Sequence, residues 1–153
     1  MRTEICLTPL LSVSTDLLFT AKIRVAAESA RREFRNARSL EAFETGLRSA
    51  PGLVVVDLTA PHGFASLDLL ARATVRPELV VGFYPHVERA IGARAAGYGF
   101  VRVLTRSKFV GALEELVRAQ AERAADIVVS AEAPTGDDDA DDDGAVPGPS
   151  TST

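Results

Sequence analysis

The chain has 153 residues, 46% of them apolar, which suits one domain with a real core plus an extension. Its net charge of −4 is uneven: residues 1–130 hold 17 basic and 14 acidic side chains, whereas 131–153 hold seven acids and no base. The single Cys6 excludes an internal disulfide, and no run approaches the roughly 20 apolar residues that span a bilayer.

Apolar runs and helical patterns alternate along residues 6–125. Cys6 to Val13 is strand-like, with Pro9 placing its regular part afterwards. Asp16 is a candidate N-cap for a helix carrying Phe19, Ile23, Ala26, Ala27 and Ala30 at helical spacing. A short polar strand falls around Glu33–Ala37. Ser39 then caps a helix whose buried side is Leu40, Phe43 and Leu47, stopped by Pro51-Gly52.

Leu53-Val54-Val55-Val56-Asp57 is an unbroken β-branched run ended by a carboxylate, the pattern of a central parallel strand buried on both faces. A loop at 58–65 leads to a short helix with Leu67, Leu69, Leu70 and Ala71, ending before Pro77. Leu79–Phe83 is the next buried strand. Pro85-His86 opens a helix containing Ala90, Ile91, Ala93 and Ala95, with Gly97 in the position of its C-terminal cap. Val101–Leu104 is the fifth strand, and Ser107 caps a last helix with Phe109, Leu113, Leu116 and Val117 on one side, running to about Ala125.

This order makes five βα units, and right-handed crossovers turn them into a doubly wound α/β parallel sheet over residues 1–126. The acidic segment 127–153, with Asp137–Asp139 and Asp141–Asp143, has little to bury and is expected to be a disordered tail. Its roles range from a solubilising extension to a ligand for a basic partner or for the domain's own arginines. Thr8, Pro9, Ser12, Ser14 and Asp16 interrupt any signal-like apolar stretch, so a cytoplasmic protein without a membrane partner is expected.

A (βα)5 chain of this length with a carboxylate ending its third strand resembles the receiver domain of bacterial response regulators, the CheY-like branch of the flavodoxin-like fold. The resemblance covers roughly residues 5–125 and rests on element order, on Leu53–Asp57, and on the Arg94-Ala95-Ala96-Gly97 helix end. It implies phosphorylation at Asp57, with Mg2+ held by acids after the first strand, a Thr or Ser ending the fourth strand, and a Lys ending the fifth. An acyl phosphate requires that set, because charge on the phosphoryl oxygens has to be neutralised.

This chain departs from the pattern. One acid, Asp16, stands where a pair is expected; Gly82-Phe83-Tyr84-Pro85 offers no small hydroxyl; Arg106 and Lys108 share the vicinity of the Lys position, and the following proline is absent. The resemblance therefore implies an atypical receiver or pseudo-receiver, a non-enzymatic signalling module acting through protein–protein contacts. Its partner would be a histidine kinase or downstream effector, its contact surface about 82–118, and its response to phosphorylation weak or absent. Asp57 is then a phosphoacceptor or a carboxylate capping the 58–65 loop; Asp16 is a metal ligand (with Asp57) or a helix cap. Arg106 and Lys108 would touch phosphate, or Arg106 would pair with Asp57 itself.

The other function class is a flavodoxin-like domain binding a nucleotide or flavin. It predicts a glycine-rich phosphate loop after the first strand, where Ser12-Val13-Ser14-Thr15-Asp16 stands instead. His62 and His86 fall on loops at one edge of the sheet without a ligand-spaced partner. Arg31, Arg32, Arg35 and Arg38 form a basic cluster without aromatic interleaving, so no nucleic-acid partner is expected.

Overall fold

The computed structural model describes residues 8–118. Its strands are β1 (Leu10–Val13), β2 (Phe34–Ala37), β3 (Leu53–Asp57), β4 (Leu79–Tyr84) and β5 (Val101–Thr105). Between them run α1 (Leu17–Ser29), α2 (Leu40–Leu47), α3 (Gly63–Arg72) and α4 (Arg89–Ala96), and residues 106–118 form a fifth helix, α5. All neighbouring strands are parallel, in the order β2-β1-β3-β4-β5. This is the strand order of the flavodoxin-like (βα)5 fold.

Side-chain alternation along the inner strands feeds two cores. Leu10, Leu53, Val55, Val81 and Phe83 meet α1 and α5 on one face. Leu11, Val13, Val54, Val56 and Val80 meet α2, α3 and α4 on the other. A strand buried on both sides has no polar face to offer, which is why β3 reads as a continuous apolar run. Each of these fully buried side chains stabilises the fold by roughly 1.5–3 kcal/mol.

Several boundaries differ from the sequence reading, each for a local reason. Helix α3 starts at Gly63, inside the expected 58–65 loop, after the turn in which the Gly63 N–H reaches the Ala60 carbonyl at 2.9 Å. A Cβ at Gly63 would lie 2.7 Å from the Asp57 carbonyl oxygen, so glycine permits this close approach. Pro85-His86 does not open α4; the Glu88 N–H donates to the Pro85 carbonyl at 2.8 Å, closing a turn, and the helix begins at Arg89. Its buried positions are Gly92 and Ala95, with Ala90 and Ala93 exposed. Gly97 does cap α4 as expected, with a right-handed φ of −64°, and the left-handed residue beyond it is Gly99, at φ +85°.

Ser107 is not a cap. Strand β5 passes straight into α5, and the Thr105 hydroxyl oxygen accepts from the Lys108 N–H at 3.4 Å. Leu40, expected on the buried side of α2, is half-exposed, because it opens the helix directly after its Ser39 cap. The expected end of the last helix near Ala125, the 1–126 domain limits and the 127–153 tail lie outside the described residues.

Ala50 holds a left-handed φ of +53° between the last turn of α2 and Pro51. A Cβ there costs roughly 1–2 kcal/mol, partly offset by the unfolded-state entropy that glycine would add. Ala50→Gly is accordingly expected to raise stability by about 0.5–1 kcal/mol, read as an upward shift of the urea midpoint.

Candidate functional site

The strand order reverses between β1 and β3. From β1 the chain turns to α1 on one face, and from β3 to α3 on the other, so the two loops diverge at the carboxyl edge and leave a crevice. Val13 pairs with Val56, which brings Ser14 and Asp57 to the two rims of that crevice. Alternation from Leu53 and Val55 assigns Asp57 to the α1 side of the sheet. At 2% exposure it is among the most buried charged groups described.

A buried carboxylate needs donors. Thr59 supplies two to Asp57 Oδ1, its N–H at 3.0 Å and its hydroxyl at 2.7 Å. This Asx-type turn folds the loop back over the strand end. It is the loop-capping arrangement for Asp57, with a hydroxyl that the sequence reading had not assigned. An Asp-x-Thr spacing directly after a buried strand was the signal available.

Asp16 caps α1: its Oδ1 accepts from the N–H groups of Leu18 at 2.9 Å and Phe19 at 3.1 Å. The Ser14 hydroxyl oxygen in turn accepts from the Asp16 N–H at 3.0 Å. Beneath it, the Ser12 hydroxyl donates to Asn36 Oδ1 at 2.6 Å, and Asn36 Nδ2 donates to the Ser14 carbonyl at 3.0 Å. Hydroxyls of the Ser12–Asp16 stretch thus brace the loop. A magnesium ion would draw on the Asp16 and Asp57 carboxylates in competition with these donors; among the described residues no group of three or more acidic, His or Cys side chains is placed to hold a metal.

Phe83 occupies the β4 position in register with Asp57. Its ring is fully buried against Phe19, at 4.9 Å, and Phe109, at 4.5 Å, and these two also meet each other at 6.5 Å, so the three rings form a cluster. Arg106 completes this stack. Its guanidinium lies 4.9 Å from the Phe19 ring centroid, a cation–π contact. The expected pairing of Arg106 with Asp57 therefore does not form among the described residues; the first turn of α5 directs the side chain to Phe19 instead. Lys108 is exposed on the same turn.

His62, at the start of α3, has Nε2 3.0 Å from the Ala37 carbonyl, which can only accept, so that nitrogen donates. It ties the end of β2 to the start of α3. His86 sits in the exposed turn after β4. Around the carboxyl edge stand exposed apolar side chains: Leu17 at 72%, Leu18 at 71% and Val87 at 74%. A depression of about 520 Å3, lined by Pro51, Val75, Pro77 and Glu78 among others, opens at the opposite edge of the sheet, away from Asp57.

Site and sheet together define an α/β domain with a buried carboxylate at its topological switch point. No protein-family model, curated protein or solved structure gives a significant match to the chain. No described helix is long and apolar enough to cross a membrane.

Proposed function

We propose that this protein is a receiver-like signalling module that works by binding another protein, a histidine kinase or a downstream effector, without depending on phosphorylation. The observation that carries this reading is the buried Asp57 at the β1/β3 switch point, with its Oδ1 engaged by Thr59. In-line attack on phosphorus needs a carboxylate oxygen backed by cations on the incoming phosphoryl group. Here the neighbouring strand position is filled by the buried Phe83, which offers no hydroxyl, and Arg106 is stacked on Phe19. Asp16 and Asp57 would be the ligands of any Mg2+, and Arg106 and Lys108 the contacts of any phosphate.

A protein surface is favoured by the exposed Leu17, Leu18 and Val87 beside this edge, with Val110 on α5 adding to the 82–118 side. These side chains are not needed by either core.

The decisive experiment exposes wild type and Asp57→Asn to magnesium with acetyl phosphate or beryllofluoride, reading intact mass and backbone NMR shifts. The expected result is no adduct on either chain and shift changes confined to the Asp57–Thr59 turn when the two are compared. An adduct on wild type that Asp57→Asn lacks overturns phosphorylation independence and makes the protein a responsive receiver. A rise in melting temperature with a flavin or nucleotide, but not with magnesium and acetyl phosphate, would instead favour small-molecule binding at the same crevice. For partner binding, a photo-crosslinker at Val87 is expected to capture one partner that a crosslinker at the bottom-edge Val75 does not; equal capture from both positions contradicts it.

A further inference from the structure

The arginine cluster at the start of β2 is divided by the fold. Arg32 is buried, donating through Nε to the Thr8 carbonyl at 2.8 Å and through Nη1 to the Val117 carbonyl at 3.0 Å. Arg31, Arg35 and Arg38 are exposed. They run along β2, an edge strand of the sheet, from the end of α1 to the start of α2. Across residues 22–38 the chain carries six bases against two acids, and one of those acids, Glu33, pairs with Arg35 at 3.0 Å. An edge strand bearing a row of like charges attracts an anionic segment.

We infer that the acidic segment Asp137–Asp143 of this same chain docks along the Arg31–Arg35–Arg38 row. Three observations converge on that occupant. The first is charge: residues 131–153 carry seven acids and no base, opposite in sign to the row. The second is the point of departure. The Arg32–Val117 hydrogen bond fastens the end of the described part of α5 beside the start of the row, so the last described residue, Arg118, stands one position from that anchor. The third is length. Asp137 follows Arg118 by 19 residues, which span at most about 65 Å when extended, more than the width of a domain of this size. The acidic run of seven residues and the 31–38 row, each extended, both cover on the order of 25 Å.

Docked there, the segment screens the β2 edge from polyanions and from other strands. It acts as a tethered competitor whose effect is set by its local concentration rather than by contact strength alone. Contact between exposed charges of this kind weakens as added salt shortens the screening distance from about 10 Å at 0.1 M to about 3 Å at 1 M.

The test uses the full chain with a nitroxide attached through Ala140→Cys in a Cys6→Ser background. Paramagnetic broadening is expected at the amides of residues 31–38 in low salt, and is expected to disappear near ~1 M salt. Broadening spread evenly over the domain, or centred on the Arg72, Arg76, Arg89 and Arg94 side, overturns the assignment. So does broadening seen only when isotope-labelled chains without the nitroxide are mixed with spin-labelled ones, because the contact would then lie between copies. A label-free measurement guards against a poorly folded labelled chain: replacing the six aspartates of 137–143 by Asn is expected to shift amides of 31–38 selectively. The same variant is expected to bind a heparin oligosaccharide about tenfold more tightly than wild type. Unchanged shifts and unchanged heparin affinity refute the docking.

Discussion

Phe83→Ala is expected to lower stability by about 3–5 kcal/mol, a large part of the 5–15 kcal/mol typical of a domain. Phe83 is fully buried and packs against the rings of both Phe19 and Phe109, with centroids 4.9 and 4.5 Å away. Truncation removes both stacking contacts and leaves a cavity that neighbours on a parallel sheet cannot collapse to fill. Phe83→Leu keeps most of the volume and is expected to cost less than about 1.5 kcal/mol. Urea unfolding followed by circular dichroism separates the two. A loss below about 1 kcal/mol for the alanine variant would mean that the stack contributes little beyond ordinary packing.

The same residue links stability to the site. Phe83 pairs with Asp57 in register, and its carbonyl accepts from the Leu58 N–H at 3.0 Å. Its ring supports Phe19, on which Arg106 lies. Phe83→Ala should therefore release Arg106 as well, visible as altered side-chain NMR signals of its guanidinium. Phe83→Thr likewise removes the ring and is expected to carry the full cavity cost.

Arg32→Met is expected to cost about 3 kcal/mol although it keeps the side chain's bulk. The guanidinium joins segments 24 and 85 residues apart, holding the Thr8 carbonyl and hydroxyl and the Val117 carbonyl at 2.8 to 3.0 Å. Its loss leaves carbonyls at the start of β1 and the end of the described α5 without that donor. Arg32→Lys is expected to cost about 2 kcal/mol, since one ammonium cannot reproduce the fork that reaches both segments. Burial lowers the Arg32 pKa from its ordinary value to about 10, with Glu78 opposing the shift. The folded value lies below the unfolded one, so the cost of burying the charge is fully present below about pH 10 and is relieved only as pH rises from there towards the unfolded value. Around neutrality the guanidinium is charged in both states, and the loss in Arg32→Met should be independent of pH. A strong dependence in that range would mean that another group, not Arg32, is titrating.

Much of the architecture was legible because it depends on short-range patterns. The Leu53–Asp57 run announced a strand buried on both faces, Asp16 and Ser39 announced helix starts, and both side chains accept the expected N–H groups. The boundaries that moved did so through interactions the linear pattern does not encode. Thr105 displaced Ser107 because β5 enters α5 without a loop, and Pro85 closed a turn instead of opening α4. At the site, the sequence identified Asp57 and Asp16 but not the Thr59 hydroxyl, and it grouped Arg32 with Arg31, Arg35 and Arg38 in one basic cluster although only 3% of that residue is exposed.

By itself the sequence determined the order of elements, the α/β class and the carboxylate at the end of the third strand. Hydrophobic periodicity and capping act between residues only a few positions apart, and so can be read in one dimension. Tertiary structure alone decided that Arg106 faces Phe19, that Phe83 packs against two rings, and that Arg32 anchors Val117. Those choices follow from which long side chains meet after strands and helices have packed. Such meetings join residues as many as 87 positions apart, and no local pattern carries their geometry.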